Sequence, residues 1–569
     1  MDNTNFFTAI VLSIAILIGF HYFYEQPQME RVQKQIALQK HKAEAKVAEE
    51  EAQKKIPLRD RKAIIADTAR VSIDTPELRG SINLKGARLD DLELVKYRET
   101  VAKDSPEITL LSPAGSDAPH NAYYASFGWL AGSGQKVPDD ETVWTTKDKR
   151  LTVGTPVLLT WDNGQGLTFE RTIAVDEQFL FTVTDRVKNS GTETVTLYPY
   201  GTIARQNHPQ VVGTYVLHEG PIGVLGGTLK EIKYSKLVEE PKMVIESQGG
   251  WLGITDKYWL VSLLPTQEEK LTAIFSFHSD KDEKNPEKGL YQIRFQGMPI
   301  SLASGASSET TARLFSGAKR VAVLDAYQEK LGLPLFDRAI DFGWYYYLTK
   351  PFLYFLDEMT SWFGNMGISI VLFTIMLKIL TLPLSLKSNR SMAKMKALQP
   401  ELKKLQERFK EDRQKLSLET MELYRREKVN PMSGCFPVII QIPIFFALYK
   451  VLYVGIEMRH APLFGWIHDM SAPDPTSVLT LFGTLDWSFI PHLGVWPVLM
   501  GISMFIQQKM SPQPADKSQS NMFLLMPLIF TFMMSQVAVG LIFYWTVSNI
   551  LGSAQQAYIT RKVLGPHKS

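Results

Sequence analysis

Met366-Gly-Ile-Ser-Ile-Val-Leu-Phe-Thr374-Ile-Met-Leu-Lys378-Ile-Leu-Thr381-Leu-Pro-Leu384 is a run of 19 residues with a single charge in it. As a helix it reaches about 28 Å, close to the ~30 Å hydrocarbon core of a bilayer. It therefore predicts a membrane span, and the charge inside it needs an explanation. An ammonium at mid-membrane costs about 2.5–3.5 kcal/mol on insertion scales. Lys378 stands six residues before Leu384, so its stem nearly reaches the membrane edge and snorkelling is one explanation. The other is functional. Thr374, Lys378 and Thr381 fall at i, i+4 and i+7 on one helix face. A polar stripe on a spanning helix is expected to face protein or water.

More apolar runs lie on either side: Phe6 to Tyr24, Cys435 to Tyr453, Leu493 to Ile506 and Met522 to Leu551. The last, about 45 Å as one helix, is too long for one span. Ser535, Gln536 and Gly540 mark a hairpin that divides it, giving six spans in all. Leu493 to Ile506 reaches only about 21 Å, which implies a thinned bilayer or a hydrated, protein-lined surface. No Lys or Arg precedes Phe6 and no Ala-x-Ala site follows Tyr24. Residues 1–27 therefore read as an uncleaved anchor, with a removed leader as the rival.

The chain has 569 residues, too many for one core, and a net charge of +3 that gives no argument for nucleic acid. Its one cysteine, Cys435, cannot form an internal disulfide and reads as a small packing residue. Residues 28–55 are rich in Glu, Lys, Gln and Ala and form a charged tether. Residues 56–335 alternate short β-rich stretches with turns. Leu151 to Thr160, Asp162-Asn163-Gly164 and Leu167 to Val175 give one such unit. Phe179 to Val187, Asn189-Ser190-Gly191 and Thr194 to Tyr200 give the next. This spacing predicts a large antiparallel β-sandwich. No G-x-S-x-G, H-E-x-x-H or Gly-Lys-Ser/Thr motif occurs and the histidines lack metal spacing, so no catalysis, metal or other cofactor is assigned. Residues 336–365 are crowded with aromatics, among them Trp344, Tyr345, Tyr346, Tyr347 and Trp362. They predict an interfacial amphipathic helix, a buried sandwich helix being the alternative.

Residues 366–562 then form a multi-pass helical core. Its loop from Ser385 to Gly434 carries 13 Lys/Arg against 7 Asp/Glu, while Gly455 to His492 carries only Arg459. Positive-inside counting puts the first loop, the tail 563–569 and the N-terminus in the cytoplasm, and the β domain outside. Met392, Met395, Leu398, Leu402, Leu405 and Phe409 recur at helical spacing, as do Leu416, Thr420 and Leu423. The loop 385–434 therefore reads as a charged helical hairpin. Its Lys394, Lys396, Lys403, Lys404, Arg425 and Arg426 either meet a ribosome or nascent chain or form a solvated face.

Gln441, Ser503, Gln507, Gln508, Ser548 and Asn549 add polar groups on other spans. Together with Lys378 they are able to line a wet groove reached from the cytoplasm, though each alone suits an interhelical hydrogen bond. No carboxylate within the apolar runs pairs with Lys378, so a partner from a passing substrate is expected. Met500, Met504, Met526 and Met533 crowd the last spans. Thioethers suit a surface that accepts many apolar partners, and equally suit plain packing.

Several stretches are similar to YidC insertases (the YidC/Oxa/Alb family). They are Ser391-Met-Ala-Lys-Met-Lys-Ala-Leu-Gln-Pro400, Lys428-Val-Asn-Pro-Met-Ser-Gly-Cys-Phe-Pro437 and Gln441-Ile-Pro-Ile-Phe445. Trp466-Ile-His-Asp469, Gln508-Lys-Met-Ser-Pro512 and Gly540-Leu-Ile-Phe-Tyr-Trp-Thr-Val-Ser-Asn549 match as well. Anchor plus β domain resembles the Gram-negative form. The resemblance implies an inner-membrane insertase and chaperone for nascent membrane proteins. It would act alone or with the Sec translocon, and ribosome or signal recognition pathway contacts are expected. It also implies a hydrophilic groove open to cytoplasm and lipid and closed to the outside. Lys378 matches the groove cation, which is Arg in many members; Lys keeps the charge and loses the bidentate fork. Thr374 matches a groove position one turn earlier. Tyr544 and Trp545 match an aromatic pair that touches substrate, Tyr-Tyr in some relatives. Gln441 and Phe445 fall in a matching motif. The segment Thr476 to Leu493 looks longer than in relatives and is assigned no role.

Two rival functions follow from the residues. One is a small-anion transporter with Lys378 at its midplane, against which stands the lack of an internal repeat. The other is an envelope assembly scaffold acting through the β domain, whose layout resembles a sugar-binding sandwich.

Overall fold

The computed structural model describes residues 57–131, 135–209, 217–279, 285–409, 412–429, 436–482, 492–511 and 517–564. The expected anchor and tether lie outside them, as do Cys435 and most of the tail.

β-branched and aromatic residues at every second position drive the first half of the chain into strands with one buried face. Along Leu167–Val175 alternate residues point inward, and the strand pairs in register with Leu180–Asn189, Leu167 opposite Asn189 and Val175 opposite Phe181. Among the described residues one antiparallel sheet has eight strands and another, almost wholly antiparallel, has eleven. The result is the sandwich-like pair of sheets that the patterning predicts. Two details depart from expectation. Leu151 to Thr160 is not one strand: Thr152 and Thr155 bridge each other around Gly154. Arg150–Leu151 then joins the eleven-stranded sheet, and Val157–Asp162 joins the eight-stranded one. Nor does Asn189-Ser190-Gly191 close a hairpin. It carries the chain from Leu180–Asn189 in one sheet to Val195–Gln206 in the other. Asn189 fixes that crossing by donating from Nδ2 to Glu193 O (2.8 Å) and Leu302 O (3.0 Å).

The second half is helical. Val321–Leu331 (α1) closes the sandwich, and Tyr346–Phe363 (α2) follows, burying Phe352, Leu353 and Leu356 while Trp344, Tyr347 and Trp362 stay exposed. Gly364 ends α2 in the left-handed region (φ 66°), and Asn365 Oδ1 then caps Met366–Leu380 (α3) by accepting from Ile368 N–H. The run from Met366 to Leu384 is not one straight helix. It bends by 69° at Thr381 into Leu382–Ala397 (α4). Pro383 has no N–H to continue the ladder, which frees the helix to turn there. Among the described residues no single helix is long and apolar enough to cross a membrane, but the bent pair α3 and α4 passes together.

Gln399–Arg408 (α5) and Arg413–Arg426 (α6) follow. The helix expected to run from Met392 to Phe409 is interrupted at Leu398, which caps α4 by donating to Lys394 O just before α5 begins at Gln399. The chain divides into two compact units, and residues 400–428 belong to the smaller one. Within it Arg426 Nη2 pairs with Glu401 Oε2 at 3.3 Å. The larger unit continues with Phe436–Val454 (α7), Val495–Met510 (α8), Lys517–Met533 (α9) and Val539–Leu564 (α10). The expected hairpin at Ser535, Gln536 and Gly540 is where α9 gives way to α10 through a 3₁₀ turn at Met534–Gln536. α10 packs on α3, α4, α7 and α8. Polar ties join the sandwich to this core: Val321 N–H donates to Glu457 Oε1 (3.3 Å), and Lys450 Nζ pairs with Asp341 (2.9 Å).

Candidate functional site

α3, α4, α7 and α10 line an open-sided cleft. Its walls are Thr374, Leu377, Lys378 and Thr381 of α3 and its corner, Leu384 and Ser385 of α4, Ile440, Gln441 and Ile444 of α7, and Tyr544 and Ser548 of α10. About 60 Å³ of it is open to the centres of water molecules. One water needs ~10–15 Å³, so several fit, and the polar walls offer them partners.

Four of the polar wall residues have a local reason for their pose. The Thr374 and Thr381 hydroxyls donate back to Ile370 O (2.6 Å) and Leu377 O (2.7 Å) of their own helix. Their lone pairs are left for the cleft, and such back-bonding also favours bending. Gln441 Nε2 donates to the hydroxyl of the buried Tyr544 at 2.7 Å, tying α7 to α10 across the cleft. Lys378 is half-buried, and among the described residues it has no carboxylate within ion-pair distance. No group of His, Cys, Asp and Glu among the described residues gathers to hold a metal ion.

The structure brings together Thr374, Lys378, Thr381, Gln441, Tyr544 and Ser548, and holds the other candidates elsewhere. Trp545 is one residue past Tyr544, about 100° around the helix. It packs edge-on against Phe445 (5.0 Å) and Phe530 (5.7 Å), so it and Phe445 seal α7, α9 and α10 beside the cleft. Asn549 Nδ2 donates to Ser503 Oγ (3.1 Å), a buried link between α10 and α8. Gln507 approaches α10 one turn further on. The methionines divide: Met500 is fully buried, Met504 is half-buried, and only Met526 and Met533 are exposed. Met500 is thus core packing. Lys394 and Lys396 are exposed on α4, and Lys403, Lys404, Arg425 and Arg426 are exposed on α5 and α6.

Ser385 and the apolar wall of Leu377, Leu384, Ile440 and Ile444 were not among the sequence candidates. Ser385 continues the Thr374–Lys378–Thr381 spacing by one turn, a signal present in the sequence. The isoleucines and leucines look like any lipid-facing residue there.

The chain is similar to known proteins over nearly its whole length. A family model described as the YidC periplasmic domain matches residues 70–355, and one described as 60Kd inner membrane protein matches residues 358–565. The "Membrane protein insertase YidC" of Methylorubrum extorquens is 46% identical over 595 residues, covering 99% of this chain and 95% of the relative. Its namesake from Nitrobacter hamburgensis is 47% identical over 600 residues, with the same coverage. A crystal structure of an active YidC insertase with its first transmembrane domain resolved covers 88% of this chain and 93% of its own, at 15% identity and a TM-score of 0.36.

Proposed function

This chain belongs to the YidC family of membrane protein insertases, and from that premise we propose that its cleft is the groove through which short polar segments of nascent membrane proteins leave the cytoplasm. The chain is an insertase of the inner membrane with a periplasmic domain. In the proposed arrangement it is multi-pass, with the hairpin, the tail and the N-terminus cytoplasmic. Its substrates are nascent membrane proteins, handled alone or with the Sec translocon and delivered by ribosomes at the basic hairpin.

One observation carries the groove: an ammonium with no carboxylate partner among the described residues, set in a cleft with room for water, as the single charge on the apolar α3. A polar tail entering there keeps hydrogen-bond partners, which lowers the cost of leaving bulk water. Lys378 supplies the charge that an acidic tail lacks. Gln441, Tyr544 and Ser548 supply neutral donors and acceptors opposite it. The substrate's apolar helix meanwhile passes into lipid over the exposed Met526 and Met533, and burial of that surface drives the step.

The test is insertion of a small membrane protein with an acidic translocated tail into proteoliposomes holding the full chain. Lys378→Ala is expected to slow it about fivefold, the upper end for a solvated ion pair. Lys378→Glu should slow it further. Equal insertion by all three chains would remove the electrostatic role.

A further inference from the structure

α10 carries a glycine where two other helices send polar side chains toward it. A Cβ placed on Gly552 would stand 3.0 Å from Gln507 Nε2 of α8 and 3.5 Å from Lys378 Nζ of α3. Gly552 lies one turn beyond Ser548 of the cleft wall. The links Asn549 to Ser503 (3.1 Å) and Gln556 Nε2 to Met510 O (3.1 Å) hold α10 against α8 on both sides of it. The backbone there has little room to yield. A glycine inside a helix also costs stability relative to alanine, so its presence calls for a local gain.

We infer that Gly552 is a positioning residue for the groove cation: its missing side chain is the notch in which the Lys378 ammonium and the Gln507 amide converge on α10. The notch holds the ammonium at the head of the cleft, beside Ser548, instead of letting the lysine stem extend to the membrane edge. A methyl group at 552 stands 3.0 Å from the Gln507 amide, which must give by a few tenths of an ångström, and 3.5 Å from the ammonium, so it takes up part of the seat where the two converge. A branched side chain fills the notch, and both tips must leave. The ammonium then has no seat beside the cleft, although Lys378 itself is unchanged.

Because this rests on the groove proposed above, the experiment separates the two. The full chain is reconstituted with a single-span substrate whose translocated tail is acidic, and with the same substrate carrying Asn and Gln in place of the acids. The quantity read is the ratio of their insertion rates. Lys378→Ala should lower that ratio about fivefold, as a solvated ion pair allows. Gly552→Leu should lower it to the same level, and should change nothing further when added to Lys378→Ala. Gly552→Ala should lower it part of the way while leaving the melting temperature equal or higher, since alanine is the better helix former. If Gly552→Leu fails to accumulate in the membrane, Gly552→Ala alone decides. A Gly552→Ala ratio equal to that of the parent chain overturns the inference. So does a Gly552→Leu chain that slows both substrates alike, or that loses as much in the Lys378→Ala background. A ratio untouched by Lys378→Ala removes the groove cation itself, and the notch with it.

Discussion

Glu457→Gln should make this chain more stable at pH 8 and change it far less at pH 5. Glu457 follows α7 in a 3₁₀ turn on the sandwich side of the core. Its Oε1 accepts from Val321 N–H at the start of α1, while its Oε2 is sealed from solvent with no partner. Burial pushes the carboxyl up from its ordinary 4.5 to about 7; Asp357 adds to this, and the Val321 N–H and Arg320 oppose it. A carboxyl whose folded value lies above its unfolded value stabilises the fold when protonated. That contribution is complete below pH 4.5 and is lost as pH rises through 7. Between pH 5 and pH 8 the loss amounts to about 2–3 kcal/mol, at roughly 1.4 kcal/mol for each tenfold change. Glutamine keeps the acceptor for Val321 and has no charge to desolvate. For a cooperative unit of about 250 residues, such a difference shifts the midpoint by roughly 5–10 °C. Thermal unfolding of the detergent-solubilised chain and its Gln variant at pH 5, 6.5 and 8 measures it directly. Parallel curves for the two chains across that range would refute the buried-carboxylate account.

Three more substitutions probe other contacts of the fold. Asp185→Ala strands Arg171, which is 1% exposed and held bidentate at 2.6 and 2.9 Å between the sheets, and should cost about 3–5 kcal/mol by denaturant titration. Gly501→Ala puts a methyl group 2.0 Å from Thr531 Oγ1, so it should push α8 from α9 and lower the melting temperature, with Thr531→Ala partly restoring it. Asp474→Ala removes the buried acceptor of Trp466 Nε1, Thr476 N–H and Trp496 N–H at the start of α8. It should cost about 1–3 kcal/mol in the same unfolding assay.

The sandwich illustrates how far pattern reaches. Inward alternation along Leu167–Val175 names a strand with one buried face, because the side-chain period of a strand is two. The same pattern is silent on which sheet a strand joins. That is why Asn189-Ser190-Gly191, read as a turn between two strands, turns out to cross between sheets, and why Leu151 and Val157 part company. The pairing partners of those residues lie far away in sequence, and no local preference encodes them.

In the helical core the sequence by itself determined the inventory: apolar runs, one cation among them, a polar stripe at 374, 378 and 381, and the break near 535–540. Each is set by local composition and by the helical repeat. Only the tertiary structure decided which of these groups meet. Tyr544 and Trp545 are neighbours in sequence, yet one faces Gln441 across the cleft and the other packs on Phe445. Met500 carries the same thioether as Met533 but lies at the centre of the packing. Gly552, unremarked in the sequence, sits beside both Gln507 and Lys378. The physical reason is that a helix fixes the direction of each side chain relative to its own axis. Which direction is inward depends on neighbours brought by distant parts of the chain.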